Sequence, residues 1–369
     1  MMVRSRDNKM PGMDYPVVVA GGGPSGALAA LILARQGVRI LVIDRERPAR
    51  VQAAEILAPE GREILESEGL WGILPRDVIR PCPSIAAAWS GPDLAWTSFA
   101  DHPAGCAWHL DRIRFDAWMI GHIRRAGVVA ERGTVEHVQR TGDGWQISFT
   151  AAGAGHRVSS RHLMLATGRA PGGVRLAPRL RIDNLCLVAG TADGDPLNPD
   201  ALIVEATRDG WWYSAPLLDG RLFAGWMTDF SLVDGGRYEA AAAASLAAAP
   251  VHARRVGTPR LSTIIGSATW AMTPAAGPNW IAIGDAALAR DPVGGDGLTS
   301  ALRSACYGAD VVQRALNGDH AVWASAVAHT DDVARRYQRQ RLDLYRVARK
   351  RWPSAPFWRR LPPADVSLP

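Results

Sequence analysis

The stretch Tyr15-Pro16-Val17-Val18-Val19-Ala20-Gly21-Gly22-Gly23-Pro24-Ser25-Gly26 decides how the chain is read. Tyr15 to Ala20 is a short apolar run rich in β-formers, the pattern of a buried strand. Gly21, Gly23 and Gly26 follow with G-x-G-x-x-G spacing. A helical pattern runs from Ser25 to Gln36 and stops at Gly37, which suits a left-handed helix end. A second apolar strand from Arg39 to Ile43 ends in Asp44. Strand, glycine turn, helix, strand and acid in this order form a dinucleotide-binding unit. Gly21 permits the tight turn, Gly23 keeps a Cβ out of the path of a pyrophosphate, and Gly26 lets helix and strand pack closely. Pro24 and Ser25 open the helix, whose free N–H groups and partial positive charge favour phosphate. Asp44, 23 residues after Gly21, is placed for ribose hydroxyls, with Arg45 beside it.

A second glycine-rich element lies about 260 residues downstream. Trp280 to Ile283 is again a short apolar strand, closed by Gly284-Asp285. Asp291-Pro292 enters a loop with Gly294, Gly295 and Gly297, and a helical pattern follows from Leu298 to Ala315. Asp285 offers a carboxylate to a ribityl hydroxyl. The helix start offers N–H groups to the edge of a flavin where negative charge collects on reduction. The first element suits a pyrophosphate, and the second a sugar-like chain with its head group. Together they point to one two-headed cofactor, FAD.

Composition sets outer limits. Hydrophobic residues are 47% and charged residues 21%, the balance of an ordinary globular protein. No apolar run is long enough to span a bilayer, and the first twelve residues lack the apolar core of a signal peptide. A cytoplasmic protein with no membrane partner is expected. Cys82, Cys106, Cys186 and Cys306 form no C-x-x-C pair, and with His102 and His109 they match no usual zinc spacing, so no metal is expected. The net charge is +6, and lysine occurs only at Lys9 and Lys350. Arginines spread along the chain argue against a nucleic-acid stripe. They cluster only near the end, at Arg335, Arg336, Arg339, Arg341, Arg346, Arg349, Arg351, Arg359 and Arg360 with Lys350. This reads either as a surface for a protein or peptide substrate or as a basic exposed helix.

On these elements the chain resembles the flavoprotein monooxygenase superfamily of the para-hydroxybenzoate hydroxylase fold, over nearly its whole length. The resemblance implies an α/β fold: a Rossmann-like FAD-binding domain, an interleaved mixed β-sheet substrate domain and a C-terminal helix. It implies that Arg112, in Leu110-Asp111-Arg112-Ile113-Arg114-Phe115-Asp116, reaches the pyrophosphate. As in that family, no second G-x-G-x-x-G for a nicotinamide appears. Where many single-component hydroxylases carry an Asp-Gly motif, this chain has Leu165-Ala166-Thr167-Gly168-Arg169. Thr167 and Gly168 join the cofactor set. The departure resembles the halogenase-like branch and implies electrons from a separate flavin reductase, with direct NAD(P)H use the other route. Dioxygen would be the co-substrate.

Gly210-Trp211-Trp212-Tyr213-Ser214-Ala215-Pro216 partly matches the W-x-W-x-I-P signature of tryptophan halogenases. Those enzymes need a lysine near the flavin tunnel, and neither lysine here is in the expected position. That segment, Gly225-Trp226-Met227-Thr228-Asp229 and Arg351-Trp352-Pro353-Ser354-Ala355-Pro356-Phe357-Trp358-Arg359-Arg360 are similar to flavoproteins that mature tryptophylquinone enzymes. The resemblance implies oxygenation of a tryptophan side chain in a partner polypeptide, during quinone cofactor biogenesis. Two strands, 211–217 and 221–229, joined at Asp219-Gly220, put Trp211, Tyr213 and Ala215 on one face, Trp212 and Ser214 on the other. An aromatic face can stack on an indole or simply pack between sheet and flavin domain. Trp211, Trp212, Tyr213, Met227 and Asp229 are the substrate-side candidates. Glu55 is a further one, resembling the Gly-Glu-Ser segment of the branch.

The organisation expected is a discontinuous FAD-binding domain (13–80, 101–182, 268–330), a β-sheet substrate domain (81–100, 183–267) and a C-terminal helix with a proline-rich strap (331–369). Helices are expected at 56–68, 111–127, 238–249 and 321–351. Aromatic hydroxylation is the leading activity. A free small aromatic substrate, reduction of an isoprenoid-like double bond, and a non-catalytic client-binding flavoprotein are the alternatives.

Overall fold

The computed structural model describes residues 14–45, 53–142, 144–170, 172–193, 198–233 and 238–359. The polar start with Lys9, Asp143, Arg360 and the prolines at 362 and 363 lie outside the described residues.

The first sheet is built around β1 (Tyr15–Ala20). It runs parallel to β2 (Ile40–Asp44) on one side and to the end of β10 (Ala154–Leu165) on the other. Beyond them lie β8 (Val129–Thr141) and β19 (Trp280–Ala282), both parallel, and the short β18 (Ala276–Gly277). The strand β9 (Gly144–Ala151) joins the far halves of β8 and β10 as an antiparallel meander. Val17 to Ala20 are fully buried because helices cover one face and the meander the other.

The helices on that sheet are α1 (Pro24–Arg35), α3 (Arg112–Arg125) and α6 (Gly297–Leu316), with α2 (Pro59–Ser67) against α6. The helix expected at 56–68 begins later. Glu55–Leu57 is a strand, β3, paired with β7 (Ala107–Leu110), which also pairs with β4 (Ile79–Cys82). Pro59 sits in the first helical turn and disfavours a helical residue before it, so the chain is extended up to Ala58.

The second large sheet has the order β16-β12-β15-β14-β13-β5-β6. Its strands are β5 (Ser84–Ala88), β6 (Ala95–Ser98), β12 (Leu185–Ala192), β13 (Leu202–Thr207), β14 (Gly210–Pro216), β15 (Leu222–Asp229) and β16 (Arg260–Gly266). Both β14 and β15 are buried along their whole length. One face is covered by α4 (Tyr238–Ala247) and α5 (Pro250–Val256), separate helices because Pro250 starts the second. A small third sheet is formed by β11 (Arg179–Arg181), β17 (Trp270–Met272) and β20 (Leu288–Ala289).

The helix α7 (Val322–Arg349) packs on α6 and runs on to the second sheet. The expected extended strap is instead a short helix, α8 (Pro356–Arg359), with proline at its start. Phe357 and Trp358 drive this: both are buried among Trp211, Tyr213 and Tyr345, and the Trp358 indole donates to the Thr207 carbonyl at 3.0 Å.

Gly21 has φ +113°, and a Cβ there would sit 2.2 Å from the Ala166 carbonyl oxygen, where β1 passes β10. The Gly21→Ala variant is expected to lose about 2–4 kcal/mol of stability, read from the denaturant midpoint of the cofactor-free protein. A loss below about 0.5 kcal/mol, as at an ordinary surface site, would contradict this packing.

Candidate active site

A cavity of about 1750 Å³ runs between the first sheet and the second. At one end it is walled by Gly21–Ser25, Asp44 and Arg45. The middle is formed by Glu55, Arg112, Asp116 and Thr167–Arg169. At the other end Asp285 and Pro292–Gly297 face Leu187, Trp211, Tyr213 and Ile265 of the second sheet.

Two helices begin on this cavity. The N-cap of α1 is Gly23 and that of α6 is Asp296, and neither helix has a side-chain cap bond at its start. Open N–H groups and the positive end of each helix dipole therefore face the same space. The two glycine elements also touch. Gly284 has φ +58°, and a Cβ on it would lie 2.6 Å from the Ser25 hydroxyl. At the end of β2 the Asp44 carboxylate accepts the Gly22 N–H at 2.9 Å.

Charges alternate along the middle. Arg112 donates to Asp116 at 2.8 Å and reaches Glu55 at 3.5 Å. Burial opposes its charge, but the Asp116 and Glu55 carboxylates overcome that and keep it firmly cationic. Burial pushes the Glu55 carboxyl above its ordinary range; Arg112 pulls it down, and Asp116 and Asp285 push it up. Arg169 pairs with Asp285 at 3.3 Å and donates to the Ala268 carbonyl at 3.0 Å and to the Arg290 carbonyl. Tyr213 is buried, and burial together with the nearby Glu55 carboxylate holds its phenol protonated.

These residues fit FAD. One uncapped helix start and Arg112 would hold the pyrophosphate, Asp44 the ribose, Asp285 the ribityl chain, and the start of α6 the flavin edge.

The cavity gathers Gly21, Gly23, Pro24, Ser25, Asp44, Arg45, Arg112, Thr167, Gly168, Asp285, Pro292, Gly294, Gly295 and Gly297 with Glu55, Trp211 and Tyr213. Gly26 and Gly284 stand just behind it, at the packing contacts of the two elements. Three substrate-side expectations need correction. Trp212 points to the opposite face of β14, where its indole donates to Ser245 at 3.1 Å and stacks near Trp226 under α4. Met227 lies opposite Trp211 on β15 and packs beneath it without reaching the cavity. Asp229 caps the turn after β15, accepting from the Ser231 N–H at 2.9 Å and hydroxyl at 2.7 Å.

Sequence reasoning missed Arg169 and Asp116. The Arg112–Asp116 spacing of one helical turn could have revealed the second. Arg169 pairs with a residue 116 positions away, and no local pattern marks that. The basic cluster is also divided: Arg335, Arg336, Arg339, Arg346 and Arg349 are exposed, whereas Arg341 is buried. No group of three His, Cys, Asp or Glu among the described residues could hold a metal ion, and no described helix is long and apolar enough to cross a membrane.

Residues 14–168 match the sequence family described as the FAD binding domain. That part of the chain is an FAD-binding domain. This flavoenzyme is 26% identical to LodB of Marinomonas mediterranea, assigned as an FAD-dependent oxidoreductase, over 94% of this chain and 96% of that one. Among solved structures it is similar to the peptidyl tryptophan dihydroxylase QhpG, essential for tryptophylquinone cofactor biogenesis. The TM-score is 0.76 at 26% identity, covering 94% of this chain and 78% of QhpG. The flavin-dependent halogenase CmlS shares the fold, with TM-score 0.83 at 22% identity, covering 94% of this chain and 67% of CmlS. The flavoenzyme thus has the architecture of aromatic monooxygenases and halogenases.

The upward shift of Glu55 has a sign. The folded state binds its proton more tightly than the unfolded chain, so stability falls as pH rises from the ordinary carboxylate range through the raised value. Glu55→Gln in the cofactor-free flavoenzyme is expected to flatten that fall. Denaturation midpoints across acidic to neutral pH test it; parallel profiles for both proteins would contradict it.

Proposed function

We propose that this flavoenzyme is a monooxygenase that hydroxylates the tryptophan side chain of a partner polypeptide during quinone cofactor biogenesis. The observation that carries this reading is an aromatic wall, Trp211 and Tyr213, facing the flavin loop Pro292–Gly297 across one cavity. The likeness to a peptidyl tryptophan dihydroxylase supports it. The lysine that halogenation requires by resemblance finds no counterpart in the cavity lining among the described residues, where the one lysine is the exposed Lys350 at the end of α7.

Reduced FAD would supply activation of dioxygen for transfer of one oxygen atom to an electron-rich ring. The rest falls to the chain. Trp211 and Tyr213 offer the ring of the substrate a rigid, apolar stacking face and exclude water. Trp89 lines the same cavity beside them, its ring centroid 6.2 Å from that of Trp211. Glu55, which holds a proton more readily than an ordinary carboxylate, lies 3.5 Å from Arg112 and lines the same cavity as Tyr213. It serves as the group that takes the proton released when the oxygenated ring regains aromaticity. Electrons come from a separate flavin reductase or directly from NAD(P)H. The exposed arginines of α7 receive the polypeptide that carries the target.

A tryptophan-bearing peptide of a quinoprotein, incubated with the flavoenzyme, reduced flavin and labelled dioxygen, is expected to gain labelled oxygen on the indole, read by mass spectrometry. An unchanged peptide, or a halogenated one when halide is added, would overturn the reading. Tyr213→Ala is expected to lower kcat/KM roughly tenfold or more through lost ring positioning. Trp212→Phe, on the far face, is expected to change it less than about twofold, because it touches no reacting group.

A further inference from the structure

We propose that Arg341 and Tyr345 of α7 are positioning residues that fix the Asp291–Gly295 loop for the flavin end of FAD and tie it to the substrate wall through Trp211. This rests on reading the cavity as an FAD site.

The geometry is a closed relay inside the protein. Asp291, 1% exposed, enters the loop, and its carboxylate accepts the Val293 N–H at 3.0 Å, setting the turn that lines the cavity. The other carboxylate oxygen accepts from Arg341 Nε at 3.0 Å and from the Tyr345 hydroxyl at 2.5 Å. Arg341 also donates to Asp183 at 2.7 Å, just before β12 of the second sheet. The Trp211 indole N–H donates to the Tyr345 hydroxyl at 3.3 Å, and Trp211 is part of the cavity wall. The Asp291 N–H donates to the Tyr337 hydroxyl at 2.5 Å. One helix therefore holds the loop by its backbone and by its side chain.

A buried guanidinium with two carboxylates is a poor way to gain stability, since desolvation offsets most of the attraction and apolar packing does as well. Its return is directional: the bonds to Asp291 admit one loop shape, and hydrophobic contacts would admit several. The loop so fixed is followed immediately by α6, whose uncapped start faces the cavity. The ADP end lies at the opposite end of the cavity, at Gly21–Ser25 and Asp44, and none of these residues is bonded to the relay.

The test compares two ligands on cofactor-free protein by titration calorimetry. FAD needs both ends of the cavity and ADP only one. Tyr345→Phe, which keeps the ring and its packing, is expected to weaken FAD roughly fivefold, and Arg341→Met roughly tenfold or more, from loss of buried charge-assisted bonds. ADP affinity is expected to stay within about twofold in both, and Arg341→Lys to restore part of the loss because it keeps the charge. The proposal is overturned if the ratio of FAD to ADP affinity is unchanged in Tyr345→Phe, whether both constants hold or both fall together. Unmutated protein that binds ADP but FAD no more tightly would instead overturn the flavin reading, and this proposal with it.

Discussion

Two helix starts left open on one cavity constrain everything else in this fold. The amides at the start of α1 and of α6 have no side-chain cap, and such ends lower their free energy when something negative fills the space before them. The glycine turns exist to bring those starts to the surface of the cavity. Gly21 passes under the Ala166 carbonyl, and Gly284 packs against Ser25, so neither helix could be displaced outward by a side chain without parting β1 from β10 or the two elements from each other. A ligand that satisfies both ends must offer negative charge or hydrogen-bond acceptors at each, as the pyrophosphate and the flavin edge of FAD do.

The space between those ends is governed by charge. Arg112 and Arg169 alternate with Glu55, Asp116 and Asp285, so the lining is nearly balanced and can exchange partners when a long polar ligand enters. The far end is different in kind. There the second sheet turns Trp211 and Tyr213 inward beside Trp89, and Tyr345 and Trp358 pack behind them. A flat, rigid, dry wall opposite the flavin loop suits an aromatic ring better than a charged or flexible substrate. The aromatic residues of the C-terminal segment are what hold this wall in place, so the last described helices belong to the active site in a physical sense.

Much of the first sheet was legible because a βαβ unit is local: periodicity, glycine spacing and a terminal acid all fall within thirty residues of Tyr15. The second element was legible for the same reason. What the sequence hid is what long-range packing decides. Alternation along β14 separates Trp211 from Trp212, but nothing in the strand says which face meets the cavity; α4 and α5 decide that by covering Trp212. Asp229 looks like a polar handle until the turn after β15 claims it as a cap. Arg341 reads as one more exposed arginine on a basic helix, and only its meeting with Asp183 and Asp291, 158 and 50 positions away, shows it to be internal. Pro356 reads as a helix breaker, and burial of Phe357 and Trp358 makes it a helix starter.

A crystal structure of the complex with FAD tests the central claim most directly. The account expects a single FAD molecule with its pyrophosphate oxygens against the first amides of α1 and the pyrimidine edge of its flavin against the first amides of α6, opposite Trp211 and Tyr213. A flavin ring lying outside the cavity, or an α6 start that faces no part of the cofactor, would contradict it.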